Sequence, residues 1–404
     1  MTETHSPGIV IAGAGIGGLA AALALHARGL EVTLLEEAEE IRPLGVGINI
    51  QPAAIGELTA LGLGGKLAAT GIATREHRYL DHKGRTIWSE ARGIAAGNDF
   101  PQYSIHRGDL QMMLLDAVRS RLGADAIRTA TRVRGFEQDA DGVRVHISSR
   151  SGGESGIDAE ALIAGDGMHS VIRAQLHPEG SALRRTPVRM WRGLTEIPEF
   201  IDGRTMIIAS DDRSNRMVAY PCSRPHAERG KVLLNWVCLA ADPDWQGEVQ
   251  LSPGRFEDLL PHFADWDFGW LDVRAALESS GQLMHHVMAD RDPLPSWGEH
   301  RVTLLGDAAH PMYPIGANGG TQAILDGVAL AAELADAGGD VPAAFKRYES
   351  VRLPAANAIV EANRSMDHSE RTLAETSADE MAAGLETITT DYQDVVDRAS
   401  ATRH

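Results

Sequence analysis

Three turns in this chain carry the residue types and spacing that nucleotide chemistry needs. The first is Gly13-Ala14-Gly15-Ile16-Gly17-Gly18, with glycines at 13, 15 and 18. It follows a short apolar run at 9–12 and opens an alanine-rich segment of helical periodicity over 16–29. In a strand–turn–helix of this kind the first glycine permits the tight turn. The second lets a pyrophosphate reach the backbone, and the third lets helix and strand pack closely. The helix N-terminus adds unpaired N–H groups and positive potential. Residues 31–36 read as the next strand, and Glu36 closes it 23 positions after Gly13, placed to accept a ribose hydroxyl. The second turn, Ala164-Gly165-Asp166-Gly167, ends an apolar run at 161–165, and the third, Leu305-Gly306-Asp307-Ala308, ends one at 301–305. Tyr103 to Leu110 sets Arg107 just before a helix, and Pro314 stands seven residues after Asp307, ahead of Gly316-Ala317-Asn318-Gly319-Gly320 at another helix start. The first turn by itself does not separate one dinucleotide from another.

The elements that must position these turns are legible as patterns. A βαβ unit opens the chain. Helices are expected from near Pro52, over 108–122, over 319–336 and over 342–364, and Asp139-Ala140-Asp141-Gly142 reads as a hairpin turn. From about 186 to 290 the pattern changes to short alternating runs at 205–210, 216–221, 231–240 and 283–288, the mark of antiparallel strands. Six of the seven tryptophans fall between 191 and 297, and those at 191, 236, 266 and 270 suit a core better than a pocket. The tail, 366–404, is polar and acidic and reads as helical with a frayed end. The fold class is therefore α/β, with a Rossmann-like domain, an inserted antiparallel-sheet domain and a C-terminal helical segment.

Composition sets limits. The 404 residues carry 38 Lys and Arg against 56 Asp and Glu, a net charge of −18. Such a chain repels nucleic acid and anionic membranes, so neither is expected as a partner. Cys222 and Cys238 are too few for a disulfide scaffold or a zinc site and read as buried thiols in a reducing compartment. The start of the chain lacks a basic region before an apolar stretch, so no leader and no membrane span is expected, and the protein is read as cytoplasmic. No metal site and no Gly-x-Ser-x-Gly elbow is found. Charge and composition carry no oligomeric state.

Taken together, the three turns in this order resemble the group A flavoprotein monooxygenases, the single-component FAD-dependent aromatic hydroxylases. The resemblance runs from residue 8 to about 365. It implies FAD as cofactor, NADH or NADPH as a transient co-substrate, O2, and a small aromatic substrate hydroxylated through a flavin C4a-hydroperoxide. It also implies roles. Gly13, Gly15, Ile16, Gly18, Glu36, Glu37 and Val133 would bind FAD, and Arg107 would reach its pyrophosphate or ribityl region. Asp166 would order the shared cofactor loop, and Asp307 would take the ribityl hydroxyls. Gly316, Ala317, Asn318 and Gly319 would present amides to the flavin N1–O2 edge, with Pro314 at the reacting face. Arg42, Gly47 and Ile48 resemble a mobile loop beside the ring. Ile50, Trp191, Arg192, Arg216, Tyr220 and Tyr313 are the candidate substrate contacts, the two arginines for a carboxylate.

Further segments, among them 41–52, Trp191-Arg192-Gly193 and 312–319, are similar to the branch of this family that hydroxylates the carboxylate-bearing carbon of a phenazine and releases carbon dioxide; Asp211 to Asn215 departs from it. The implied division is a discontinuous FAD-binding domain (1–72, 100–180, 290–365), a substrate domain (73–99, 181–289) and the tail. N-hydroxylation, ring hydroxylation without decarboxylation, and a non-catalytic FAD-fold binding protein stay open as alternatives.

Overall fold

A computed structural model describes residues 8–149, 152–180, 182–242, 245, 252–373, 376 and 378–401. The residues before Gly8 and after Ala401, on which the leader and frayed-end expectations bear, lie outside that set.

The apolar run Ile9–Ala12 is a fully buried strand at the centre of a six-stranded sheet. It pairs in parallel with Ala161–Ala164 on one side and Val32–Leu35 on the other, with Ile9 opposite both Ala161 and Val32. Val302–Leu304 and Ile127–Arg128 extend the sheet in parallel, and Gly298–Glu299 adds one antiparallel edge. Strands covered on both faces read as continuous apolar runs, which is why all three nucleotide-type turns announce themselves: each sits at the end of one of these strands. The helix Ile16–Ala27 follows the first turn and packs on Gly319–Asp336, which begins after the third. A Cβ on Gly327 would lie 2.8 Å from the Ala21 Cα, so that glycine sets how close the two helices come. The hairpin at Asp139 forms as expected, the Asp139 carboxylate accepting the Asp141 and Gly142 amides.

The second sheet has eight strands, ordered Ser252–Pro253, Met284–Asp290, Arg184–Ile197, Val232–Ala241, Arg216–Pro221, Thr205–Ser210, Glu76–Asp81 and Thr86–Ala91. Its pairs are antiparallel except one, Thr205–Ser210 with Glu76–Asp81, because the latter strand enters from the first part of the chain. One face covers a core of its own with Trp191, Trp236, Phe263 and Trp266. Trp270 departs from the core expectation: it is exposed and rests edge-on against Phe200. Cys222 and Cys238 are free and buried, and burial raises both thiols, so neither is a ready nucleophile.

A small sheet joins the two large ones. Gly47–Ile50 pairs antiparallel with Gln102–His106, which also pairs with Ile72–Thr74. Gly47 and Ile48, read from the sequence as part of a loop, are therefore strand residues. The helix Val341–Leu373 runs without interruption past residue 366, where the tail was expected to begin. It packs along Ala378–Ala401, so the polar tail is a second long helix laid back on the molecule. No helix among the described residues is long and apolar enough to cross a membrane.

Candidate active site

The glycine turn has the shape a pyrophosphate requires. A Cβ on Gly13 would press on the Gly165 carbonyl, and one on Gly18 would overlap the Gly13 carbonyl, whereas one on Gly15 would meet nothing within 4 Å. The turn is thus tight where strand, turn and helix meet and open where a ligand would approach. Glu36 holds it from the next strand: its Oε2 accepts the Ala14 amide and its Oε1 the Ala38 amide, both at 2.9 Å. Each oxygen keeps a further lone pair for a ribose hydroxyl. Gln111, which no motif indicated, donates from a neighbouring helix to the Ala14 carbonyl at 2.9 Å.

Asp166 orders the second turn. Its Oδ2 accepts the Val171 amide at 3.0 Å, while its Oδ1 is buried without a protein partner, and burial raises its pKa. Arg173, one turn further on, donates to the carbonyls of Ala308 and Ala309 and so ties the second turn to the third. The third turn is held from below by Asp326, whose Oδ2 accepts the Gly306 amide at 3.0 Å and meets His310 Nε2 at 2.6 Å, while Arg352 Nε meets its Oδ1 at 2.9 Å. Burial opposes the charge on Asp326, but His310 and Arg352 keep its carboxyl below the usual range. A carboxylate on the buried stripe of an apolar helix was the sequence signal for this residue, since buried charges are paired. Asp307 is left exposed with no protein partner among the described residues, its Oδ1 3.9 Å from where a Cβ on Gly319 would stand. Arg107, on the other flank, is exposed and equally unpaired, beside Gly45.

A cavity of about 310 Å³ opens between these groups and the eight-stranded sheet. Gly47, Ile48, Asp307, Arg107 and the turn Pro314 to Gly320 form one wall, except Asn318, which is buried behind it. Alternate residues of four strands form the other: Met190 and Arg192, Met206 and Ile208, Arg216, Val218 and Tyr220, Val237 and Leu239. A strand shows every second side chain to one face. Trp191 therefore points the other way, into the second core, and does not line the cavity. Ile50 lies beyond the cavity in the first core, under Gly320. Tyr313 lines the cavity. Val133 is buried in the strand Thr131–Gln138, Glu37 is exposed and 3.4 Å from Arg132, and Arg42 is exposed and paired with Glu40 at 2.8 Å.

The two candidate arginines differ. Arg216 is buried and already neutralised, with one nitrogen on Asp367 and Nη1 2.5 Å from Glu370. Arg192 has no carboxylate partner among the described residues; its Nε donates to the Met190 sulfur at 3.2 Å. Burial depresses its guanidinium pKa, since desolvation disfavours the charged form. Burial together with Arg192 pushes His286 down to about 3, so that imidazole is neutral. Tyr220 stands beside Arg192 with its phenol pushed up by burial, protonated and able to donate. Asn235, also missed from the sequence, joins the walls by accepting the Gly47 amide at 2.7 Å.

The residues present fit FAD: an open glycine cradle, a braced ribose acceptor, an unpaired carboxylate at 307 and an unpaired guanidinium at 107. A carboxylate bond to a ribityl hydroxyl contributes about 1.5–3 kcal/mol, so Asp307→Ala weakens FAD binding roughly 10- to 150-fold. Titration of apoprotein with FAD measures this, and an unchanged dissociation constant with an unchanged unfolding midpoint removes Asp307 from the cofactor site. Among the described residues no group of three metal-ligating side chains exists.

A family model described as "FAD binding domain" matches residues 7–363. The phenazine 1,6-dicarboxylic acid hydroxylase PhzS of Lysobacter antibioticus is 57% identical to this chain over 405 residues, covering 99% of each. The 3-hydroxybenzoate 6-hydroxylase of Polaromonas naphthalenivorans is 34% identical, over 89% of this chain and 86% of its own length. Among solved structures, Klebsiella pneumoniae HpxO complexed with FAD and uric acid aligns with a TM-score of 0.74 at 25% identity, over 96% of this chain and 93% of that one.

Proposed function

The chain belongs to the FAD binding domain family and is an FAD-dependent aromatic hydroxylase, a flavoprotein monooxygenase; from that premise we propose that its substrate is a flat polycyclic aromatic acid of the phenazine-carboxylate type. The observation that carries this is Arg192, a cavity-facing guanidinium with no carboxylate partner among the described residues. Its planar fork suits a carboxylate. The methionine, valine and leucine side chains around it suit a flat apolar ring and exclude water. Likeness to the phenazine hydroxylase supports the ring system.

Bound FAD, reduced by a nicotinamide, supplies the activated oxygen. The chain's own part is to hold the ring against Pro314 by its carboxylate, keep water out, and offer the protonated Tyr220 as a donor. We propose as its functional analogue 5-methylphenazine-1-carboxylate 1-monooxygenase. In that reaction one oxygen atom enters the ring as hydroxyl, the other leaves as water, the nicotinamide gives two electrons, and the carboxylate departs as carbon dioxide. The cofactor part (1–72, 100–180, 290–365) and the substrate part (73–99, 181–289) belong to the same proposal, and the separate core under the eight-stranded sheet supports it.

The test uses the purified protein. It is expected to be yellow and to release its flavin on acid denaturation, since among the described residues no cysteine lines the cavity and the histidine that does, His77, is held by the Gln102 side chain at 3.1 Å. Oxidation of NADH or NADPH is then expected to accelerate with phenazine-1-carboxylate and not with unsubstituted phenazine. Product mass and evolved carbon dioxide separate decarboxylating from simple hydroxylation. Acceleration by phenazine and its acid alike refutes carboxylate recognition.

A further inference from the structure

The turn Ile315–Ala317 departs from ordinary backbone at two consecutive positions: Gly316 has φ +68° and Ala317 φ +55°. Alanine avoids that region, and such a conformation persists only where its surroundings enforce it. Gln51 Nε2 reaches the Gly316 carbonyl at 3.3 Å, and further bracing comes from the far end of the chain. The Tyr392 hydroxyl, on the helix Ala378–Ala401, accepts from Asn318 Nδ2 at 2.7 Å and donates to Asn363 Oδ1 at 2.6 Å. Asn363 Nδ2 donates to the Tyr313 carbonyl at 3.1 Å, and Asn318 Nδ2 also reaches the Gly316 carbonyl at 3.0 Å. The phenol thus closes a hydrogen-bonded bracket across both ends of the 313–318 segment. A Cβ on Gly316 would overlap the Tyr392 ring, so the contact is direct. Tyr392 and Asn363 are buried, and Tyr392 lines the cavity.

We infer that Tyr392 is a positioning residue of the active site: the helix Ala378–Ala401, through the hydrogen bonds of this phenol, holds the 315–318 turn in the shape that presents its amides to the flavin. This rests on the reading above that the turn faces the flavin. Nothing in the polar tail forms a motif, yet Leu385, Tyr392, Val396 and Ala399 make a buried stripe at helical spacing along it.

The test is Tyr392→Phe, which keeps the ring against Gly316 and removes the hydroxyl. Hydrogen exchange on apoprotein is expected to show the amides of Gly316 to Gly319 exchanging roughly tenfold faster, with the unfolding midpoint little changed. FAD affinity is expected to fall roughly tenfold, with an altered visible flavin spectrum. Unchanged exchange at 316–319 overturns the inference. Faster exchange with parental flavin affinity and spectrum leaves the bracket standing but refutes its role toward the flavin, and with it the reading of the turn. Should Tyr392→Phe fail to fold, Asn363→Ala opens the same bracket from the other side and gives the same readouts.

Discussion

Arg192→Met is expected to abolish the proposed preference for a carboxylated ring over its uncharged amide. Truncating one partner of a buried charge pair costs about 2–5 kcal/mol, which is roughly 30- to 5,000-fold in affinity. The size follows from the setting. The guanidinium stands among Met190, Met206, Val218, Val237 and Leu239 on the sheet wall of the cavity, so its field acts in a poorly solvated space, and among the described residues no protein carboxylate pairs with it. The amide binds parent and variant with similar affinity, since it never had the ion pair to lose. Folding is expected to be undisturbed, because the free protein gains nothing from a half-buried cation that has no carboxylate partner among the described residues. Binding is read by flavin-spectrum titration with each ligand. If acid and amide weaken equally, the carboxylate is recognised elsewhere.

Arg216→Met does the opposite: it leaves substrate discrimination alone and destabilises the fold by about 3–5 kcal/mol, the cost of breaking a buried ion pair from one side. Asp367 and Glu370 would be left facing each other with only Arg371 still paired, to Asp367. The pH dependence gives the signature. Burial already raises the Glu370 pKa against the pull of Arg216. Without the arginine it rises further, so the folded state holds a proton that the unfolded state releases. A carboxyl raised on folding adds stability at low pH and loses it as pH climbs through its ordinary range. The deficit of the variant against the parent is therefore smaller near pH 5 than near pH 8 in denaturant titrations. A stable Arg216→Met protein that fails to bind the acid would move the carboxylate site to Arg216.

These two arginines mark where reading the chain stops. Both stand on strands of alternating pattern beside aromatic residues, and nothing local separates them. Their difference lies in Asp367 and Glu370, some 150 positions further on, which the fold brings to Arg216 and not to Arg192. Trp191 was a narrower miss. Strand periodicity alone forbids Trp191 and Arg192 from sharing a face, and only the structure shows which of the two faces is the cavity.

By itself the sequence determined what short-range physics controls. The buried run at 9–12, the glycines that only a tight turn with close packing demands, the acid ending the next strand, and the helix over 319–336 are each set by residues within a few positions of one another. Together they made the cofactor half readable. The tertiary structure decided everything that depends on contacts across the chain. It made 47–50 a strand, because that segment finds its partner at 102–106, and it turned a polar tail into a wall of the cavity, because Tyr392 reaches Asn318. It also chose which charges are spent on the protein and which are left for a ligand. A turn is specified by its own backbone preferences, whereas a pairing depends on where two distant segments come to lie, and that is fixed only by packing the whole chain.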